Sequence, residues 1–183
     1  MSSLQSVRVL YGPNDDIFFV GGETATMALY RIPRDRGALQ KVISQPTAFL
    51  YDVSPDAKWV AAWVGTAVVF YPVDGGNPVT LCLSCGTAGD ENRGVTPPAL
   101  HWSRDGKSLY LHSAFTRKTY VLALHAGEVV PRISSAFRNI DAAADAIGAR
   151  AIADPRAYVS DDPSVYVFPR VFAHRNIYRV SVQ

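Results

Sequence analysis

A short turn, written twice in nearly the same letters, constrains this chain more than anything else in it. Ser54-Pro-Asp-Ala-Lys and Ser103-Arg-Asp-Gly-Lys each follow an apolar lead-in. Each is followed by an apolar strand, a second turn, another apolar strand and a turn containing glycine. The first unit continues as Trp59-Val-Ala-Ala-Trp and Val68-Val-Phe-Tyr-Pro, the second as Ser108-Leu-Tyr-Leu-His and Lys118-Thr-Tyr-Val-Leu. The letters have a physical reason. An Asp carboxylate two residues after the Ser can accept backbone N–H groups, and Gly takes the positive-φ position that closes the hairpin. Ala57 stands where that Gly belongs, so a strained turn costing on the order of 1 kcal/mol is expected there.

Weaker copies begin at Gly12-Pro-Asn-Asp-Asp and at Asp161-Asp-Pro-Ser. Counted between turn aspartates, Asp15 to Asp56 is 41 residues, Asp56 to Asp105 is 49 and Asp105 to Asp161 is 56. Four-stranded propeller blades recur at about 40–45 residues, so the first interval fits and the others carry insertions at 82–98 and 134–154. The apolar residues run together instead of alternating, which suits strands buried on both faces. The expected fold is all-β: a single β-propeller segment over 1–183, with blades at about 7–43, 47–83, 97–132 and 150–183. At roughly 43 residues per blade, 183 residues supply about four blades, the bottom of the known range. A partial propeller is therefore expected, one that needs its remaining blades, a protein partner or a second copy to cover its ends. One stretch departs from the β pattern: 139–147, rich in Ala and followed by Gly148, predicts a short helix.

Charge and composition exclude several classes. A net charge of +2 with basic residues scattered singly gives no nucleic-acid footprint. The tightest basic group, Arg31, Arg34 and Arg36, is offset by Asp35 beside Pro33 and reads as a solvated turn in preference to a phosphate site. An apolar fraction of 48% with only 19% charged residues excludes a disordered chain. No apolar run reaches the ~18 residues of a membrane span, and the first residues lack the order of a secretory signal. The chain as given is expected to be cytoplasmic, or extracytoplasmic as part of a larger anchored protein.

On its Ser-x-Asp-x-Lys turns, each followed by an apolar strand, the chain resembles TolB-like β-propellers, which share the shape of WD-repeat propellers. Tyr71-Pro-Val-Asp-Gly-Gly, Cys82-Leu-Ser-Cys85, Tyr166-Val-Phe-Pro-Arg and Arg175-Asn-Ile-Tyr-Arg-Val resemble one branch in particular. These are bacterial modules at the C-terminus of larger proteins, often serine/threonine protein kinases. The resemblance implies a non-catalytic interaction or sensing module, and no cofactor. A kinase reading does not transfer, because the chain has no His-Arg-Asp, no Asp-Phe-Gly and no Gly-rich phosphate loop.

Site candidates are few. The pair Cys82 and Cys85 has the spacing of half a zinc site, a redox pair or a small disulfide loop, with two reduced thiols the further alternative. The chain has no second Cys pair to complete a four-ligand site. Arg175 and Asn176, near the start of the last strand, are the candidates for an interaction surface. The alternative to an interaction module is a propeller-associated hydrolase of peptidase or esterase type. Gly-x-Ser-x-Gly is absent, and none of His101, His112, His125 and His174 lies near an obvious Ser or Cys nucleophile. Asp15-Asp16 and Asp161-Asp162 sit at the turn position and read as turn-forming acids. The aromatic residues on predicted strands, Trp59, Trp63, Trp102, Phe18, Phe19, Tyr110 and Tyr120, read as core.

Overall fold

The computed structural model describes residues 5–22, 27–35, 37–43, 49–85, 87–88, 95–96, 99–113, 116–154, 157–160, 162 and 164–169. Among them the chain builds three four-stranded antiparallel meanders. The first is β1 (Gln5–Tyr11), β2 (Ile17–Gly22), β3 (Ala28–Ile32) and β4 (Gln40–Ile43). The second is β5 (Phe49–Val53), β6 (Trp59–Val64), β7 (Ala67–Pro72) and β8 (Val79–Cys82). A two-stranded ladder of β9 (Thr87–Ala88) and β10 (Val95–Thr96) follows. The third sheet is β11 (Ala99–Trp102), β12 (Ser108–Ser113), β13 (Lys118–Ala123) and β14 (Arg150–Ile152), with helix α1 (Ile140–Ala146) inserted before β14. A last hairpin pairs β15 (Tyr158–Val159) with β16 (Tyr166–Val167). The fold is nearly all-β and propeller-like.

The Ser-x-Asp turn is a closed hydrogen-bond knot. Ser54 Oγ donates to Asp56 Oδ1 at 2.6 Å and accepts the Trp59 N–H at 2.9 Å, while Asp56 Oδ1 accepts the Lys58 N–H at 3.1 Å. Ser103, Asp105, Lys107 and Ser108 repeat this with 2.7, 2.9 and 3.0 Å bonds. The bonds from the Ser103 hydroxyl and the Lys107 N–H hold the Asp105 carboxyl below the usual carboxylate range. Gly106 sits at φ 71° and Ala57 at φ 59°, so the alanine occupies the left-handed conformation that the sequence predicts, at a cost of roughly 1–2 kcal/mol. The knot recurs at the last hairpin. Ser160 N–H donates to Val165 O at 3.0 Å, and Asp162 Oδ1 accepts the Ser164 N–H at 2.8 Å. Only the first unit is shorter, closing from Gly12 N–H to Asp16 O at 2.8 Å.

Sheet two is the middle of a sandwich, which explains its unbroken apolar strands. Phe18, Val20 and Leu29 pack with Leu50, Val60 and Ala62 on one side. On the other, Tyr51, Trp63 and Phe70 pack with Trp102, Leu109 and Leu111. Each of the Val, Leu and Phe side chains contributes about 1.5–3 kcal/mol of burial. Asp52 joins the innermost strands: Oδ1 accepts its neighbour's Val53 N–H at 2.9 Å and Oδ2 accepts the Trp102 N–H of β11 at 3.0 Å.

One boundary needs correction. The fourth strand of sheet three is Arg150–Ile152, not a segment before 132, so residues 124–149 are an insertion within that sheet. Its helix follows the sequence. Asn139 caps it by accepting the Ala142 N–H, and Gly148, at φ 68°, ends it with the Ala149 N–H bonded back to Ala144 O. Apolar side chains stay exposed on the first strand, Val9 and Tyr11, and on the last hairpin, Tyr158, Tyr166 and Phe168. No helix among the described residues is long and apolar enough to cross a membrane.

Candidate functional site

The insertion after β13 begins with His125-Ala-Gly-Glu128, and its backbone explains what the side chains do. His125 O accepts the Glu128 N–H at 2.9 Å, with Gly127 at φ 80° in the position that a type II turn reserves for glycine. This four-residue turn brings the side chains at its two ends together. His125 Nδ1 lies 3.8 Å from Glu128 Oε2, and Glu128 Oε1 is paired with Arg132. Glu128 Oε2 is itself buried with no hydrogen-bond partner. A buried unpaired carboxylate oxygen is costly, and a donor from the imidazole or a bound molecule would relieve it. Downstream, Val129 O accepts the Trp102 indole N–H at 2.6 Å, which pins the loop to the core.

His125 and Glu128 line two clefts. One, of about 280 Å³, is floored by Leu122, Leu124 and Pro131 and closed by Ala146 and Ile147 at the end of α1. The other, of about 620 Å³, runs past Asp56, Asp105 and Lys107 in the Ser-x-Asp turns of sheets two and three. Lys107 Nζ is 3.3 Å from Asp105 Oδ2 and highly exposed. Neither cleft has a Ser, Thr or Cys in its lining. The sequence contained the pair as a plain turn; its signal is the i, i+3 spacing of His and Glu across Ala-Gly.

The other histidines form a second polar cluster. Thr119 Oγ1 donates to Asp154 O at 2.6 Å, so its oxygen is the acceptor for His112 Nδ1 at 3.0 Å. That fixes the His112 tautomer and leaves His112 Nε2, at 3.2 Å, as the acceptor for His101 Nδ1. The two rings stack with centroids 4.9 Å apart, and Tyr110 lies 4.9 Å from His101 on the other side. Burial first, and His112 second, push His101 down to about 4, so it stays neutral at neutral pH. None of the clefts described above is lined by this pair; it sits on the sheet face where Tyr110 O–H donates to Ser160 O at 3.1 Å.

This pair dictates a pH dependence. The unfolded imidazole takes its proton near 6.5 and the folded one only near 4, so the unfolded chain binds more protons between those values. Stability is full above pH 6.5 and falls by up to about 3 kcal/mol as the pH drops to 4. Urea titrations at pH 7, 5.5 and 4 are expected to show this slope, and His101→Phe to flatten it; an equal slope in both proteins would refute the assignment.

Other sequence candidates resolve differently. Cys82 and Cys85 are joined by a disulfide, and no cluster of three or more metal-ligating side chains exists among the described residues. The turn Leu83–Ser84 within that loop donates its N–H groups to Phe137 O and Arg138 O, so it anchors the insertion that carries α1. Arg31 is neutralised by Asp16 at 2.6 Å and by Asp74 at 3.4 Å, and Arg34 faces Asp15 at 3.4 Å. Asp16 is more than a turn former: it is buried, pairs with Arg31 and accepts the Arg34 N–H at 2.9 Å. Arg36, Arg175, Asn176, His174 and the end of the expected fourth blade lie outside the described residues.

No family model matches the chain, and no curated protein matches it. Among solved structures it is similar to a gluconolactonase from Xanthomonas campestris, at 15% identity and a TM-score of 0.47, over 67% of this chain and 46% of that one. The chain thus spans less than half the length of that enzyme. The expectation of a non-catalytic interaction module is corrected by this match, which is to a hydrolase and falls on the side of the alternative reading. The likeness assigns no residue, and the chemistry that follows rests on this chain's own side chains.

Proposed function

We propose that the chain hydrolyses a small carboxylic ester, with His125 as general base. The observation that carries this is the Glu128 carboxylate, tied to Arg132 through one oxygen and lying with the other, buried and unpartnered, 3.8 Å from His125 Nδ1. A carboxylate at Nδ1 orients the ring, favours the tautomer with Nε2 unprotonated and stabilises the imidazolium that forms. The gap is longer than a hydrogen bond and is of the kind that tightens in the substrate complex. With no hydroxyl or thiol in either cleft lining, the nucleophile is water. Its oxygen bonds to the acyl carbon while its proton passes to His125 Nε2. Lys107 faces the negative charge that develops on the carbonyl oxygen. The intermediate then expels the alcohol, which takes the proton back from His125. Short chromogenic esters assayed with the wild type and His125→Ala test this; equal rates would sink it.

We further infer that the three sheets are blades of a TolB-like propeller and that β15–β16 opens a fourth. The Ser160–Val165 knot, which repeats that of Ser54–Trp59 and Ser103–Ser108, supports the reading. The exposed aromatic ends are then blade faces that further blades or a second copy cover. Light scattering should give twice the chain mass or more; a monomer that binds no hydrophobic dye contradicts the open arc.

A further inference from the structure

The chain's two cysteines, Cys82 and Cys85, take no part in the proposed chemistry, yet the loop they close holds one edge of the fold. Their disulfide ties the end of β8 into a tight turn. Leu83 N–H donates to Phe137 O at 2.9 Å, Ser84 N–H to Arg138 O at 3.0 Å and Phe137 N–H to Leu81 O at 3.0 Å. On the other side, Cys85 N–H donates to Thr66 O at 3.0 Å and Thr66 Oγ1 donates to Leu83 O at 2.7 Å. The loop thus clasps residues 137–138 with its backbone, and the next residue, Asn139, caps α1. Through Ile140, Ala143 and Ala144 the helix packs into the same core as Leu81, Cys82 and Cys85. Its far end, Ala146 and Ile147, walls the cleft that holds His125, Glu128 and Arg132. A helix of seven residues is about two turns long, so two turns separate the disulfide from the candidate site.

We propose that the Cys82–Cys85 bond is a redox clasp on that cleft wall: oxidised, it locks residues 137–138 and α1 in place, and reduction by a dithiol loosens them. The step is thiol–disulfide exchange. A thiolate of the dithiol attacks the sulfur of Cys85, which is 4% exposed against 0% for Cys82 and lies beside the exposed Leu83 and Ser84. The S–S bond breaks, and Cys82 leaves as a thiolate and takes up a proton. The second thiol of the reductant then attacks the reductant's own sulfur in the mixed disulfide, releasing Cys85 as a thiol. The protein gains two electrons and two protons, and the dithiol, now a disulfide, supplies both. The reduced pair keeps its place in the core as two small apolar groups, with Cys85 Sγ 3.1 Å from Cys82 O as a weak donor. What is lost is the covalent closure. Closing a loop of four residues restricts its open states by roughly 20-fold, so reduction shifts the balance from docked to open by up to about that factor. The clasp does not need the hydrolase reading, because it acts on the cleft wall whatever binds there.

The test is amide exchange on the oxidised protein, on the same protein in excess dithiothreitol, and on Cys82→Ala/Cys85→Ala, with thiols counted by alkylation and mass. Reduction of the folded protein should expose two thiols. Exchange at Leu83, Ser84 and Phe137 should then quicken by about tenfold or more. The α1 amides of Ala143 and Ile147 should quicken about threefold or more, and those of β12 and β13 less than twofold. Cys82→Ala/Cys85→Ala should show the reduced pattern without reductant, and reoxidation of the wild type should restore the slow one. A chromogenic ester assay on the same samples separates the two readings: the full exchange pattern without turnover in any sample supports the clasp and rejects the hydrolase. A bond that dithiothreitol reduces only once the protein unfolds overturns the proposal, as does equal exchange at 83–84 and 137–147 in both redox states. Protection lost evenly across all three sheets overturns it too, since the disulfide would then be a plain structural brace.

Discussion

Ester hydrolysis is expected to fall by 10²–10⁴-fold in His125→Ala, the usual contribution of a positioned general base. Glu128→Gln should cost less, roughly 10–100-fold. It keeps the shape of the carboxylate but removes the charge that stabilises imidazolium, and it turns the ion pair with Arg132 into a neutral contact. The losses should be confined to kcat, since neither group is needed to hold the acyl or alcohol part. Because the His125 side chain is exposed, at 79%, His125→Ala should not move the unfolding midpoint by more than a degree or two. Added imidazole should restore part of the His125→Ala rate, because a free base can occupy the gap on the exposed side of the cleft. Full activity in both variants would place the chemistry elsewhere; a Glu128→Gln with raised KM and unchanged kcat would make Glu128 a binding group.

The repeating parts of this fold were legible because each repeat carries its own local chemistry. Ser54, Asp56 and Lys58 close their turn with bonds that span only five residues, and the same letters at 103–107 predict the same knot. Even the cost of Ala57 was readable, since the letter that differs sits at the one position with positive φ. The strands between turns were legible from their continuous apolar runs, which both flanking sheets bury. What the repeat could not supply lay in the insertions. Strand β14 needs only three residues, Arg150–Ile152, and its register against Thr119–Val121 is set after a 26-residue excursion that has no periodicity of its own. The candidate site was hidden for a related reason. Nothing in the letters joins His125 to Glu128; the turn with Gly127 at φ 80° makes them neighbours. His101 and His112 are eleven residues apart, and it takes the pairing of β11 with β12 to stack them. Nothing in the letters around Asp52 marks it as a link between sheets: the Trp102 N–H it accepts lies 50 residues away.

Trp102 joins the core to the proposed site, and its substitutions should separate the two. Its ring is buried against Phe70, with centroids 5.8 Å apart, and its indole N–H holds Val129 O at 2.6 Å. Trp102→Ala removes one of the two buried tryptophans of the seam between sheets two and three, a loss of about 3–5 kcal/mol. For a domain of this size that lowers Tm by roughly 10–15 °C. Trp102→Phe keeps a ring against Phe70 but leaves the Val129 carbonyl without its donor, so a smaller loss of about 1–3 kcal/mol is expected. Its effect should be largest in the loop: amide exchange across 125–130 should speed up tenfold or more beyond the common factor by which the lost stability quickens the β6 and β12 amides. Loosening that loop moves the His125–Glu128 pair relative to Lys107, which is held separately by the Leu124 N–H bonded to its carbonyl at 2.8 Å. That misaligns the base and the charge facing the carbonyl oxygen, so kcat should fall a fewfold with KM little changed. Phe70→Leu is the control, since it weakens the same seam while leaving the indole bond in place, and it should lower Tm without quickening exchange in the loop beyond that common factor. If Phe70→Leu and Trp102→Phe gave the same exchange pattern, the indole bond would be packing alone, and the loop would owe its position to the Arg132–Glu128 pair instead.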